Sequence, residues 1–144
     1  MRIASFILPL TDNDSKSLAA VHESVRADLI EAFGGFSAVE ISGGWKDEET
    51  GKLYVESSVR YEIAADWSKL DRAGKPRLLN RFFNLCGRFC EEASQIVIFA
   101  TAPDGECYMV APGVTEAPRE IAPREGAAEP VSWRALNERL ADAA

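Results

Sequence analysis

Three side chains in the middle of the chain have the types and spacing that acid–base chemistry uses. Tyr54, Glu56 and Arg60 occupy even positions in residues 53–63, where apolar and polar residues alternate. A period of two is typical of a β-strand with one buried face, and it places these three side chains on the polar face. Glu56 and Arg60 are four residues apart, which leaves room for a water molecule or a small anion between them. Glu56 would act as a general base if this face were covered.

The same pattern is also typical of a solvated strand face, on which Glu56 and Arg60 do no chemistry. Ser58 lies on this face as well, and Trp45 follows two glycines that let a ligand or another chain approach closely. The alternative for Trp45 is a ring that covers the glycine surface and closes the core. The candidate binding residues are Trp45, Tyr54, Glu56, Ser58 and Arg60, together with Trp133, Leu136 and Leu140 near the end of the chain.

The histidine and the cysteines fit packing better than catalysis. His22 is the only histidine and follows the apolar spacing of the first predicted helix, so we expect it to pack at a helix edge. Cys86 and Cys90 belong to an aromatic helical stripe, where cysteine behaves as a small apolar residue. Cys107 is the more exposed candidate nucleophile. No residues have the spacing of a metal site, a phosphate-binding loop or a catalytic triad, so we predict no metal and no cofactor.

The secondary structure that positions these residues is predicted to follow the order strand–helix–strand–strand–helix–strand. The predicted strands and helices, in chain order, are strand 3–8, helix 18–33, strands 36–41 and 53–63, helix 78–93, strand 96–100 and a return strand at 107–110. Gly34 and Gly35 end the first helix, and one of them is predicted to take the left-handed capping conformation. Gly74 and Pro76 are predicted to interrupt the start of the second helical region.

This order predicts an α+β fold of the ferredoxin-like βαββαβ type, with both helices on one face of an antiparallel sheet. We assign residues 1–111 to this domain, with an extra hairpin strand at its end. Residues 112–130 are rich in proline and glutamate and predict an extended linker. Residues 131–144 predict a short docking helix, with Trp133, Leu136 and Leu140 on one stripe.

The open face of the sheet, on the side away from the helices, is the expected interaction surface. We expect Phe6, Leu8, Val97 and Phe99 to add apolar side chains beside the polar row of the third strand. A surface this apolar is usually covered by another element or molecule. The candidates are the Trp133 helix, a second copy of the chain or a ligand.

Several positions resemble a family of small bacterial ferredoxin-like domains of unknown function. The resemblance rests on residues 33–37 (Phe-Gly-Gly-Phe-Ser), on Gly44–Trp45, and on Gly51 followed by Glu56 and Ser58. It covers residues 3–110. Serine stands at position 37 where the family has threonine, Gly44 directly adjoins Trp45, and the fourth strand lacks the expected glutamine–glutamate pair. The resemblance implies a fold and no activity.

Amino-acid composition limits the cellular compartments and the classes of binding partner that we expect for this chain. The 144 residues carry a formal net charge of −7 without a basic cluster, so we do not expect nucleic-acid binding. No apolar run is long enough to span a membrane or to serve as a signal peptide core. An odd cysteine count, with Cys86 and Cys90 poorly placed for a disulfide, favours the reducing cytoplasm.

The sequence therefore favours a non-enzymatic interaction module that uses the open face and the terminal helix. Its expected partner is a second copy of the chain, as a homodimer, or another protein. The alternative is a small dimeric enzyme of the α+β barrel kind that acts on a compact organic substrate, with Tyr54, Glu56, Arg60 and Trp45 lining its pocket. A third reading, an acidic inhibitor of a nucleic-acid-binding partner, rests on net charge alone.

Overall fold

The computed structural model describes residues 1–118 and the backbone of residues 129–130. The secondary structure runs in this order: β1 (Arg2–Pro9), α1 (Ala19–Phe33), β2 (Ser37–Lys46), β3 (Leu53–Ala65), a 3-10 turn (Trp67–Lys69), α2 (Gly74–Glu92), β4 (Ile98–Thr101), β5 (Cys107–Val110) and β6 (Glu129–Pro130). The predicted terminal helix with Trp133, Leu136 and Leu140 lies outside the described residues.

The strands form one antiparallel sheet in the order β2-β3-β1-β4-β5-β6. Both helices pack on the same face of this sheet, and the opposite face is the open face. The ferredoxin-like α+β prediction is confirmed, with β1 and β3 central as that topology requires. β6 is an addition that the sequence did not predict: two residues within the predicted linker pair with β5.

The core lies between the sheet and the helices and is built on alternate residues of the central strands. Val59, Tyr61 and Ile63 of β3 are all 3% exposed or less. Phe6 of β1 packs on the Tyr61 ring at a centroid distance of 5.3 Å and on Phe89 of α2 at 5.5 Å. A broad aromatic stripe on α2 therefore packs on the sheet, as its spacing predicts.

The prediction that Phe6 and Leu8 lie on the open face is wrong. Both are buried on the helix side, opposite Tyr61 and Val59 in the β1–β3 register. β1 is apolar on both alternating sets, so its sequence does not identify the inner set; the pairing with the buried residues of β3 does. Ile3, Ser5 and Ile7 form the open side of β1 instead.

The helix ends show how local chemistry sets the boundaries. Gly34 ends α1 with φ of 83° and donates its N–H to the Ile30 carbonyl at 2.8 Å, which is the left-handed cap expected there. Gly74 and Pro76 do not interrupt the second helix but open it. Asp71 Oδ1 accepts the Gly74 N–H at 2.6 Å. Proline is tolerated in a first turn because its missing N–H has no partner there.

The chain after β5 packs against α2 at a glycine. Val114 is 4% exposed, and a β-carbon on Gly87 would lie 2.2 Å from the Val114 carbonyl oxygen. The Ala117 N–H donates to Asn80 Oδ1 of the same helix at 3.0 Å. The first residues of the predicted linker therefore lie along the helix.

Replacing Gly87 with alanine is expected to lower the free energy of unfolding by roughly 1–3 kcal/mol, because the new methyl group overlaps the Val114 backbone. The same change at an exposed helix position would raise it by about 1 kcal/mol. Urea denaturation followed by circular dichroism measures the difference, and Asn84→Ala on the exposed side of α2 is the matched control. A Gly87→Ala variant as stable as the parent would contradict this contact.

Candidate functional site on the open sheet face

The structure places the sequence-predicted residues of β3 on one surface. Tyr54, Glu56, Ser58 and Arg60 alternate with the buried positions of the same strand and so lie on the open face. The extended backbone that buries Tyr61 holds all four side chains on this side. Trp45 joins them from β2, because it lies directly opposite Tyr54 in the register.

Trp45 and Tyr54 form a stacked aromatic pair. Their ring centroids are 4.4 Å apart, and the ring planes differ by 11°. The Lys52 ammonium lies 4.9 Å from the Tyr54 ring centroid, which is within the range of a cation–π contact. Both rings are half-buried. Trp45 therefore packs on another ring of the open face and does not close the core beneath the helices.

A depression lies beside this aromatic pair because Gly43 has no side chain. A β-carbon built on Gly43 meets nothing within 4 Å, and Gly43 lies opposite Glu56 in the register. Ile41 and Trp45 flank Gly43 on the same face of β2. We refer to this depression, bounded by Ile41, Trp45, Tyr54 and Glu56, as the Gly43 notch.

The Glu56 carboxylate borders the notch without an internal partner. Among residues 1–118, no cationic nitrogen lies within 4.0 Å of it. The predicted arrangement, with a water molecule or an anion between Glu56 and Arg60, is not observed. The Arg60 Nε instead donates to Glu62 Oε1 at 3.0 Å. Both side chains of that ion pair are partly exposed, so its contribution to stability is about 0–1 kcal/mol.

Ser58 forms part of the floor between the central strands. It is 8% exposed and lies opposite Ile41 on one side and Pro9 on the other. The sequence analysis included Ser58 among the binding residues. Its burial leaves Glu56 and the two aromatic rings as the accessible groups around the notch.

Asp47 orders the loop next to Trp45. The sequence predicts a solvated loop tip over residues 47–49, but Asp47 is 8% exposed. Its Oδ1 accepts the Glu49 N–H at 2.8 Å and the Thr50 N–H at 3.3 Å. These backbone donors lower the pKa of the Asp47 carboxyl, because they stabilise its charged form. A polar turn thus fixes the end of the hairpin that carries the aromatic pair.

His22 belongs to the core side and not to the open face. Its ring stacks on Tyr61, and its two nitrogens lie 2.5 Å from the Tyr61 hydroxyl oxygen and 2.7 Å from the Pro9 carbonyl oxygen. A carbonyl oxygen only accepts, so Nε2 carries a proton and donates to Pro9, and Nδ1 is hydrogen-bonded to the hydroxyl. His22 is therefore a packing residue of the core.

The cysteines carry no site on this face. Cys86 and Cys90 are buried thiols, and burial raises the pKa of Cys90 to about 12 and that of Cys86 well above its ordinary value. A high pKa keeps both thiols protonated and poorly nucleophilic. Cys107 is exposed on β5. Within the described residues, no three His, Cys, Asp or Glu side chains cluster as metal ligands.

No helix in the described part of the chain is long and apolar enough to cross a membrane.

Comparison with known proteins connects the fold to an enzyme. No family model and no curated protein matches the chain. A solved phage SAM lyase in complex with S-methyl-5'-thioadenosine is similar at 18% identity, over 76% of this chain and 88% of that chain, with a TM-score of 0.55. A phage SAM lyase in the apo state is 20% identical over 76% and 87% of the two chains, with a TM-score of 0.47. At such identities the likeness shows the fold.

This comparison contradicts the prediction of a non-enzymatic interaction module. The solved structure that shares the fold is an enzyme with a small molecule in its complex. The acidic-inhibitor reading is also non-enzymatic, and the same comparison argues against it. The alternative that the sequence left open, a small enzyme acting on a compact organic substrate, fits the comparison better.

Asp47 is expected to stabilise the hairpin in a pH-dependent manner. Its pKa is lower in the folded chain than its ordinary value of 3.8, so its contribution to stability is present above that value. The contribution is lost as the pH falls through the lower, folded-state pKa. Urea denaturation at several acid pH values measures this. The difference in stability between the parent and Asp47→Asn, which keeps one side-chain oxygen, is expected to shrink as the pH falls. A difference independent of pH would contradict the assignment.

Proposed function

We propose that this chain is a small enzyme that binds a cationic nucleoside of the S-adenosylmethionine class in the Gly43 notch. In this proposal it cleaves the bond between the sulfonium sulfur and the amino-acid chain. The observation that carries the proposal is the pairing, across one glycine-lined depression, of a stacked aromatic pair with a carboxylate that has no ion-pair partner among residues 1–118.

The aromatic side of the notch suits a purine ring. Trp45 and Tyr54 are nearly parallel, and Gly43 leaves space beside the Trp45 ring. Stacking of a nucleobase on an aromatic side chain contributes about 1–3 kcal/mol and requires no particular base. Adenine is thus a suitable occupant of this side.

The carboxylate side suits a positive charge. Glu56 lies opposite Gly43, next to the aromatic pair, so a cation attached to a stacked nucleoside would lie within its reach. The formal net charge of −7 also attracts a cationic substrate and repels anionic nucleotides. A sulfonium nucleoside combines the flat ring and the cation that these two sides select.

The fold likeness supports the same substrate class. The phage SAM lyase resembles this chain over most of both lengths, and the compound in its complex is an adenine thioether. That likeness concerns the fold, so the residues of the notch carry the substrate assignment. Together they favour a sulfonium nucleoside over other compact substrates.

The proposed reaction neutralises the sulfonium. The carbon–sulfur bond to the amino-acid chain breaks, and its electron pair stays on sulfur, which leaves S-methyl-5'-thioadenosine as a neutral thioether. The four-carbon fragment then either loses a proton to Glu56 and leaves as an alkene, or closes on its own carboxylate as a lactone. Glu56 binds the cationic substrate more tightly than the neutral product, so cleavage also favours product release.

Arg60 has no role in this proposal. Four residues along an extended strand separate it from Glu56 by about 13 Å. Its guanidinium is already paired with Glu62. Glu56, Trp45 and Tyr54 are therefore the residues that contact the substrate.

Self-association and location remain proposals that accompany this function. Exposed Ile3 and Val39 on the open face would be covered by a second copy of the chain. Cys86 and Cys90 are buried as free thiols, which supports a cytoplasmic location.

Incubation of the purified chain with S-adenosylmethionine is expected to release S-methyl-5'-thioadenosine, detected by liquid chromatography with mass spectrometry. Glu56→Gln is expected to lower kcat/KM at least tenfold, which corresponds to ~1.4 kcal/mol. Glu23→Gln, on the exposed surface of α1, is the matched control. Proton NMR distinguishes the alkene from the lactone, which are isomers. Absence of the thioether product from the parent chain would overturn the proposed function.

Filling the notch is expected to abolish binding while the fold is retained. Gly43→Val adds bulk beside Trp45, and a β-carbon at this position meets no neighbour. Ser42→Val adds similar bulk to the opposite face of the same strand and is the control. Calorimetric titration with S-methyl-5'-thioadenosine is expected to give binding to the parent and to Ser42→Val alone. Equal affinity in both variants would place the ligand elsewhere.

A further inference from the structure

A cavity of about 300 Å³ opens on the helix side of the sheet, between α1 and the β2–β3 strands. Its size is at the lower end for small-molecule pockets. The residues that matter in its lining are Leu10, His22, Arg26, Ala38, Glu40 and Val59. It lies across the sheet from the Gly43 notch, and the proposed function uses none of these residues.

Two opposite charges line this cavity without neutralising each other. Arg26 comes from α1 and Glu40 from β2, and both are exposed residues. Over residues 1–118, neither forms an ion pair within 4.0 Å. The Arg26 guanidinium does interact with the Tyr61 hydroxyl, but that group is neutral and leaves the Arg26 charge uncompensated. A cation alone would meet repulsion from Arg26, and an anion alone would meet repulsion from Glu40. A ligand that carries both charges satisfies both residues.

The inner wall of the cavity is already satisfied or apolar. The His22 ring donates to the Pro9 carbonyl through Nε2 and is hydrogen-bonded to the Tyr61 hydroxyl through Nδ1, so neither ring nitrogen is left for a ligand. Burial raises the pKa of Tyr61 more than the neighbouring Arg26 lowers it, so the hydroxyl stays protonated. The rest of the wall is an apolar surface against which a ligand's side chain can pack, formed by Leu10, Ala38 and Val59.

From this distribution we propose that the cavity binds a free α-amino acid with a short apolar side chain. Its carboxylate pairs with Arg26, its ammonium group with Glu40, and its side chain packs against Leu10, Ala38 and Val59. A planar guanidinium matches a carboxylate with two hydrogen bonds, which favours this orientation over the reverse. The proposal does not depend on the enzyme function, because the two sites lie on opposite faces of the sheet.

Calorimetric titration of the full chain with three probes that share the isobutyl side chain tests the need for both charges. L-leucine carries both, isocaproate lacks the amine, and isoamylamine lacks the carboxylate. We expect L-leucine to bind at least about tenfold more tightly than either analogue. No binding of L-leucine, or equal binding of the three probes, would overturn the proposal.

Variants locate the binding. Arg26→Gln and Glu40→Gln are each expected to weaken L-leucine binding at least tenfold, and Ala38→Leu is expected to block it by filling the cavity. Arg77→Gln, an exposed arginine on α2, is the control and should bind L-leucine as the parent does. Circular dichroism melting confirms that each variant is folded.

Unchanged L-leucine affinity in folded Arg26→Gln would overturn the proposal. Cleavage of S-adenosylmethionine by Arg26→Gln should match the parent, so a failure of the notch and a failure of the cavity give different results.

Discussion

The burial of the Tyr61 ring determines what the rest of β3 can do. The ring packs on Phe6, and its hydroxyl is bonded to His22, so this side chain cannot turn outward without loss of both contacts. Successive residues of a strand point to opposite faces. Because the Tyr61 side chain must point into the core, the Glu56 and Tyr54 side chains, at alternate positions of the same strand, must point to the open face. One aromatic anchor in the core thus sets the chemistry of the opposite surface.

The sheet separates two surfaces that differ in kind. The open face has an aromatic pair and a carboxylate around a missing side chain, which suits a flat cation. The helix side has a cavity with one charge of each sign near an apolar wall, which suits a small zwitterion. β2 contributes to both, since Gly43 points one way and Glu40 the other. Both surfaces follow from the alternation of a single edge strand.

The sequence predicted the fold and the polar face of β3 because β3 alternates clearly. It could not orient β1, in which both Phe6 and Ile7 are apolar and only pairing with β3 selects the inner one. The sequence also does not determine which carboxylate pairs with Arg60. Glu56 and Glu62 lie on the same strand face as Arg60, and the side-chain rotamers decide between them.

The sequence proposed Trp45, Tyr54 and Glu56 as candidate residues, and the structure places them on one face. The depression between them depends on the cross-strand register that sets Gly43 against Glu56, which the sequence does not give. From the sequence, an enzyme was the second expectation, because no catalytic triad or metal motif was recognised, and the likeness to a phage SAM lyase lies in the fold. The hydrogen bonds from the Glu49 and Thr50 N–H groups to the Asp47 carboxylate were missed, because charged loop tips are usually solvated.

The distal half of the β2–β3 hairpin extends past the helices. Leu53 and Val55 have the same orientation as the core residues of β3, yet they are 71% and 78% exposed. A ribbon without a packed layer beneath it opens locally at a lower free-energy cost than the whole domain, and its amide hydrogens exchange sooner. The notch lies on this ribbon. A ligand bound in the proposed notch would lose part of its binding free energy to ordering this ribbon, and the ribbon would be more rigid in the bound chain than in the empty one.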